Sequence, residues 1–333
     1  MSVSVIAPER LWLRTFTVVL PVALPLAGFV AAALVQRRIG PWTVLTPQLK
    51  TWFALVVGLC AQAAPFLVLG VIVSALLAAF VPADALRRFL PSRPGNQVLA
   101  AGMAGMVLPG CECASVPVAC SLIRRGTHPA AALTFLLAAP AINPVVLVAT
   151  VIAFPGRPMM AVARFVASLL AALIIGWIWV ARAKPSWLSL ADVGEEERGP
   201  DRRSVFRETA GHDFVHAGGF LVFGAMMAAS VKVLVPRPAV EAVAAHRVLA
   251  VVAVALLALL VCVCSEADAF VAASLTTFSP TAQLVFMTVS PMVDLKLMSM
   301  QAGFFGGGFV ARFAPLTFVV TIGVGSLIGW VML

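Results

Sequence analysis

Long apolar runs separated by short polar or basic loops dominate this 333-residue chain. A transmembrane helix needs about 20 consecutive apolar residues, and several runs reach that length. They cover residues 15–35, 51–83, 165–181, 215–235 and 313–333. The pattern therefore predicts an all-α, polytopic membrane protein with about 8 transmembrane helices.

Other apolar stretches are short and run into residues that interrupt a helix. Proline removes a backbone donor and stops the ladder of hydrogen bonds. Lipid cannot satisfy the freed backbone groups, so such a break is tolerated only inside protein or beside a wet cavity. These stretches are therefore predicted to be broken or re-entrant helices. The predicted helix-break residues are Pro109, Pro140, Pro144 and Pro291.

The polar and apolar segments divide the chain into four parts. Residues 1–50 are predicted to hold an uncleaved N-terminal transmembrane helix, and residues 51–182 a first permease unit. Residues 183–212 contain most of the continuous polar sequence and are predicted to form a cytoplasmic linker. Residues 213–333 are then a second unit.

The two units have the pattern of an internal repeat. Residues 111–144 align without gaps on residues 262–295, which places Cys-x-Cys on Cys-x-Cys and Asn143 on Asp294. Repeats with interrupted helices at their interface are typical of secondary transporters. The repeats are parallel if every broken segment spans the membrane, and inverted if residues 97–124 and 246–277 enter and return. Inversion places most of the arginines on the cytoplasmic side and is favoured.

Composition excludes several classes of protein. The chain is 62% hydrophobic and 11% charged, whereas a soluble domain has roughly 25% charged residues. A soluble enzyme, a nucleic-acid-binding domain and a disordered chain are therefore excluded. The net charge of +9 comes mostly from loop residues that set topology. No nucleotide-binding loop or hydrolase motif is present, so neither an enzyme nor a cofactor is predicted.

The two Cys-x-Cys motifs are the central chemical signal. If the units meet on a pseudo-two-fold axis, four thiols converge near the middle of the membrane. Thiolates are soft ligands that select soft ions and thiophilic species. The alternatives are a closed zinc site or ordinary packing, and packing is favoured for Cys60 and Cys120. The candidate substrate-binding residues are Cys111, Cys113, Cys262, Cys264, Asn143 and Asp294; the four cysteines would bind a metal if the substrate is one.

Ionisable residues inside the apolar stretches are the second signal. Each costs on the order of 2.5–3.5 kcal/mol to insert, so each is a functional candidate. Burial disfavours the charged form of a carboxyl, which suits Glu112, Glu266 and Asp268 to proton coupling. The alternative is a structural ion pair, for which Asp294 with Lys296 is the nearest combination in the sequence.

Several motifs resemble the ArsP/YraQ-like family of permeases. They are LPGCECASVPV at 108–118, FLLAAPAINP at 135–144, CSEADAFVAAS at 264–274 and PMVDLK at 291–296. The resemblance implies a permease of the inner (plasma) membrane, and characterised relatives export trivalent organoarsenicals. The family usually has a small residue between the first two cysteines. Glu112 in that position adds a carboxylate and favours a cation or a proton-coupled substrate.

These observations predict a secondary transporter that exports a soft, thiophilic substrate such as trivalent organoarsenicals or heavy-metal species. Its expected partners are that substrate and the lipid bilayer, with a homodimer allowed and no nucleic acid. The alternative is a membrane thiol–disulfide electron relay, which also places cysteines in both halves. Cysteines paired within each half, with acids beside them, count against the relay. A passive channel is a third interpretation.

Overall fold

A computed structural model describes residues 47–80, 91, 93–106, 112–183, 187–188, 202–234 and 247–333. The predicted N-terminal transmembrane helix, Pro109 and Cys111 lie outside these residues. The elements within them are α-helices, which confirms the all-α fold class. In chain order they are α1 (Pro47–Phe80), α2 (Pro94–Ala104), α3 (Glu112–Arg124), α4 (Pro129–Ile142), α5 (Pro144–Ala153), α6 (Met159–Arg182), α7 (Arg202–Leu234), α8 (Arg247–Val261), α9 (Asp268–Ser274), α10 (Pro280–Val289), α11 (Leu295–Phe305) and α12 (Gly307–Met332).

Among the described residues, proline begins five helices and lies inside four. The first residue of a helix has no intrahelical use for its N–H, and the fixed φ of proline suits that position. The helices that begin at a proline are α1, α2, α4, α5 and α10. Helix α7 begins at Arg202, so its first turns lie inside the segment 183–212 that was predicted to be a linker.

Five helical segments in the described part of the chain are long and apolar enough to cross a membrane. They cover residues 49–80, 129–153, 159–182, 205–230 and 307–332, and α8 and α10 are shorter apolar helices. Large apolar side chains also face outwards: Val148 is 58% exposed, Val319 67% and Trp330 82%. An apolar outer surface of this kind fits a lipid environment. The protein is therefore a multi-pass membrane protein, and the count of about eight spans stays a prediction.

Two pairs of long helices pack antiparallel. In the first pair, Trp52 near the start of α1 donates to Ser230 near the end of α7, while Ser74 near the end of α1 donates to Asp213 in the first half of α7. In the second pair, the ring of Trp179 at the end of α6 packs edge-on against phenylalanines at the start of α12. Each pair joins one helix from either half of the chain.

Helices α4 and α10 form the innermost layer. Residues 130–142 of α4 and 282–289 of α10 are buried throughout. Helix α4 packs against α2, α3 and α6, and α10 packs against α6, α8, α9 and α12. A helix that is apolar on all sides needs such complete burial, so these two helices are the core of the protein.

Two glycines bring the α1–α7 pair close to the short helices α3 and α11. A Cβ atom on Gly70 of α1 would collide with the backbone of Ala114 in α3. A Cβ atom on Gly224 of α7 would lie 2.8 Å from the Cα of Lys296 in α11. The contacts fix the first turns of α3 and α11, which contact each other and carry the polar residues described next.

Candidate substrate site

The break between α4 and α5 occurs at Asn143. Its side-chain amide donates to the Ala139 carbonyl, and its Oδ1 accepts from the N–H of Val146, 2.9 Å away. Pro144 has no N–H to continue α4, and it restricts Asn143 to an extended conformation. Pro140, a predicted break residue, lies inside α4 instead. Its missing N–H removes one hydrogen bond near the end of this helix, and Ala141 and Ile142 after it are still helical.

The break between α10 and α11 has the same chemistry. Ser290 and Pro291 form a turn after α10. Asp294 then caps α11, with its Oδ1 2.5 Å from the N–H of Leu297. Asp294 therefore organises the start of α11. Lys296 forms an ion pair with Glu112, and Asp294 acts on the Lys296 ammonium electrostatically.

A third break follows α8, at Cys262. This residue has a φ of 48°, the left-handed conformation that a side chain disfavours. Its buried thiol donates to the Leu259 carbonyl, and the sulfur also lies within hydrogen-bonding range of the N–H groups of Leu295 and Lys296. Strained residues persist where the surroundings require them and often mark functional sites. The Cys262 sulfur thus lies at the N-terminus of α11.

A buried ion pair joins the starts of α3 and α11. The Nζ atom of Lys296 donates to Oε1 of Glu112 at 2.6 Å, and both side chains are at most 1% exposed. Glu112 is the first residue of α3, where the helix dipole favours a negative charge. Its second oxygen, Oε2, is buried without a hydrogen-bond partner. The pair links the two halves of the chain and leaves an acceptor atom free.

The described motif thiols surround this pair. Cys113 and Cys264 both lie close enough to the Lys296 ammonium to interact with it electrostatically, as do Glu112 and Asp294. Cys113 is 0% and Cys264 2% exposed. Cys60, for which sequence analysis favoured ordinary packing, lies beside Cys113 and Lys296 as well. We call the group of Cys60, Glu112, Cys113, Cys262, Cys264, Asp294 and Lys296 the central site.

A second buried ion pair lies next to the central site. Arg164 of α6 donates to Asp268 Oδ2 at 2.8 Å, and both side chains are 0% exposed. The guanidinium also donates to the Thr150 hydroxyl at 2.9 Å and to the Ser265 carbonyl at 3.2 Å. Asp268 is the first residue of α9. This pair also joins the two halves, and it connects α5, α6 and α9.

Glu266 lies between the two ion pairs. It is partly exposed, and Glu112, Lys296 and Arg164 all act on it electrostatically. No ion pair found in the described part of the chain includes it. Asp268 lies within electrostatic range of both Glu266 and Glu112. The three acids predicted to couple protons are therefore neighbours.

Arg164 is the site residue that sequence analysis missed. The apolar run was taken to begin at Phe165, which left the arginine outside the membrane segment. Helix α6 begins at Met159, so Arg164 lies inside it, and a charged residue beside a long apolar run is costly to bury unless it is paired. The energetic cost of burying Arg164 was therefore the feature of the sequence that indicated a buried partner. Cys60 carried no such signal, because its role depends on the packing of α1 against α3.

The cysteines outside residue 111 are free thiols. Among the residues that the structure describes, no group of three or more His, Cys, Asp or Glu side chains is arranged to hold a metal ion. Cys111 and Pro109 are not among them. Whether the four motif cysteines act as one ligand set therefore stays a prediction.

Comparisons with known proteins match most of the chain. The family model described as "Predicted permease" (ArsP_1) matches residues 48–330. The UPF0718 protein YcgR of Bacillus subtilis is 31% identical over 80% of this chain and 92% of its own length. A Streptococcus mutans protein named "Putative two-component membrane permease complex subunit" is 26% identical over 81% of this chain and 92% of its own. No solved structure matches. The resemblance found in the motifs is thus confirmed, and the chain belongs to the ArsP family of predicted permeases.

Proposed function

We propose that this permease is a secondary transporter that exports a soft, thiophilic substrate, with trivalent organoarsenicals as the first candidates. One observation carries the proposal: Cys113, Cys262 and Cys264 lie around Lys296 at breaks between helices. Thiols are soft ligands, and helix breaks in transporters commonly form the substrate site. The resemblance to organoarsenical exporters supports the direction of transport.

The chemistry of such a substrate fits buried thiols. When a thiol binds a trivalent arsenical hydroxide, an As–S bond forms, an As–O bond breaks, and the thiol proton leaves with the hydroxide as water. No net charge develops in the low-dielectric interior. The exchange is reversible when water re-enters, as it does when a transporter opens to the other side.

Glu266 is the best candidate for proton coupling. Asp268 is already held by Arg164, and Glu112 by Lys296. Glu266 is partly exposed and so can exchange protons with water. Its charge also acts on both ion pairs, so its protonation changes the field around the substrate site.

We further propose that the halves of the chain are inverted repeats. Support comes from the antiparallel packing of α1 with α7 and of α6 with α12. The caps correspond as well: Asn143 and Asp294 cap α5 and α11, and His128 and Ser279 cap α4 and α10. In a pair of inverted repeats, a concerted rearrangement around one site can switch the access of that site from one side of the membrane to the other.

Transport by purified protein in proteoliposomes tests the function. The panel should compare trivalent methyl- and phenylarsenicals, arsenite, soft metal ions and small sulfur compounds, with and without a proton gradient. We expect accumulation of an organoarsenical that falls more than tenfold in Cys113→Ser. Glu266→Gln should retain binding but lose the response to the gradient.

The matched control is Cys120→Ser. Cys120 lies two turns after Cys113 on the same helix and packs in the apolar core, so its loss should leave transport intact. Equal transport by the Cys113 and Cys120 variants contradicts the site. Trapping of a mixed disulfide with a thioredoxin-like partner, in the absence of transport, favours the electron relay.

Labelling with a membrane-impermeant maleimide tests the repeat orientation. Arg157→Cys and Gly308→Cys occupy corresponding exposed positions before α6 and near the start of α12. Inverted repeats place these two cysteines on opposite sides of the membrane. Labelling of both from the same side establishes parallel repeats.

A further inference from the structure

A second polar cluster lies at the ends of α3 and α11 that are remote from the central site. Asp213 of α7 is 1% exposed, and its Oδ2 accepts from the Ser74 hydroxyl at 2.8 Å. The Ser74 carbonyl in turn accepts from the Ser121 hydroxyl of α3 at 3.3 Å. A buried carboxylate thus lies where α1, α3 and α7 meet.

Two histidines extend this cluster from the interior towards the exterior. His212 and His216 stack one turn apart, with ring centroids 5.5 Å apart and an interplanar angle of 17°. His216 Nε2 donates to the Gly303 carbonyl of α11 at 2.9 Å. A carbonyl only accepts, so Nδ1 of this ring is the nitrogen open to a proton. We call Ser74, His212, Asp213 and His216 the His–Asp cluster.

Two polar atoms in the His–Asp cluster lie near each other without forming a hydrogen bond. His212 Nδ1 lies 3.6 Å from Asp213 Oδ1, and neither buried atom has a hydrogen-bond partner. Polar atoms buried in this way are costly. A proton on His212 Nδ1 gives the Asp213 carboxylate a donor, and a positively charged ring makes that contact a charge-assisted hydrogen bond. The His212 side chain is 33% exposed, so water can deliver that proton.

The charged and titratable groups around the cluster come from α3 and α7. Arg124 of α3 lies within electrostatic range of His216, and Cys120 of the same helix within range of Asp213. Arg125 donates to the Ala78 carbonyl of α1. Helix α11 contributes the Gly303 carbonyl and the ring of Phe304. On α7 itself, Glu208 lies one turn before His212.

We propose that the His–Asp cluster is a proton-binding site that controls the positions of α3 and α11. Histidine is the side chain that ordinarily titrates near neutral pH. Ser74 ties the cluster to the end of α3, and His216 ties it to the end of α11. Glu112 and Lys296 lie in the first turns of those two helices, roughly 10–14 Å away along the helix axes at 1.5 Å per residue. The site adds to the proposed transport function and does not depend on the cargo.

Hydrogen–deuterium exchange of the purified full-length protein tests this site without any substrate. Exchange rates between about pH 5 and pH 8 are corrected for the intrinsic chemical rate. We expect protection of residues 118–124 and 299–305 to change about tenfold through one titration, the size of one pKa unit of coupling. His212→Gln and Asp213→Asn should each remove that titration.

His128→Gln is the matched control, because His128 caps α4 outside the cluster. It should keep the titration. A titration that persists in both His212→Gln and Asp213→Asn, or that disappears equally in His128→Gln, overturns the proposal. His212 is partly exposed, so its variant is expected to fold even where Asp213→Asn does not. Failure of thiophilic transport leaves this exchange result unchanged, so the two proposals fail separately.

Discussion

The two buried ion pairs that join the halves of the protein differ in how firmly they are held. Arg164 donates to Asp268, Thr150 and the Ser265 carbonyl, and so ties α5, α9 and the turn before α9 to α6. Lys296 donates to Glu112 through a single hydrogen bond, while the second carboxylate oxygen is without a partner in both pairs. Arginine forms a rigid, planar fork, whereas lysine is a point charge on a flexible stem.

We infer from this difference that the two ion pairs have different roles. The Arg164–Asp268 pair is built as an anchor, since several hydrogen bonds would have to break before it moves. The Glu112–Lys296 pair lies among the thiols, and under the proposed function it would exchange its single hydrogen bond for contacts with a bound substrate. The two pairs share one arrangement, because in both the acid is the first residue of a helix.

The largest expected effect comes from breaking the anchor. Arg164→Met leaves the Asp268 carboxylate buried and unpaired, which should cost about 3–5 kcal/mol of stability. Thermal unfolding of the detergent-solubilised protein measures the loss. Arg164→Met/Asp268→Leu removes both charges and should recover most of it. A double variant as unstable as the single one would show that packing around Arg164, and not the charge, dominates.

The next effect separates stability from transport at the other pair. Lys296→Met should destabilise the protein by about 3 kcal/mol, the lower end for a buried pair, because a single hydrogen bond is lost. Lys296→Met/Glu112→Gln should regain stability and yet stay more than tenfold impaired in transport. If the double variant transports normally, the Glu112–Lys296 pair is an anchor as well, and the contrast between the pairs fails.

Sequence reasoning identified three of the four charged residues of this contrast but not their partners. Glu112, Asp268 and Lys296 stood out because a charge in an apolar stretch is expensive. Their pairing is set by which short helices meet across the halves: Lys296 donates to Glu112 of α3, and Asp294, two residues away in sequence, acts on it electrostatically. Spacing within one helix cannot report a contact between residues 184 positions apart.

The helix breaks were predictable where proline chemistry is local. Asn143 and Asp294 cap the helices that follow them, as an Asn or Asp beside proline suggests. The position of each break depended on more than proline, since Pro140 lies within α4 and Pro291 within a turn. The His–Asp cluster was not predicted, because its residues come from α1 and α7 and are brought together only by the packing of those two helices.

A smaller effect is expected from moving Lys296 without changing its chemistry. Gly224→Ala places a methyl group 2.8 Å from the Lys296 Cα, which should displace α11 and cost about 1–3 kcal/mol as overpacking does. Transport should fall several-fold. Gly218→Ala on the same helix meets nothing within 4 Å and should be neutral or slightly stabilising. Equal behaviour of the two variants would mean that the close approach of α7 to α11 is unimportant.

The smallest effects come from the caps beside each pair. Asn143→Ala removes the cap of α5, which carries the Arg164 partner Thr150, and Asp294→Ala removes the cap of α11, which begins at the Lys296 pair. Each should cost about 1 kcal/mol of stability, as should Ser279→Ala at the start of α10. Only Asp294→Ala should also impair transport, because Asp294 acts on both Lys296 and Cys262. Equal transport by all three variants would show that Asp294 only caps α11 and is not part of the substrate site.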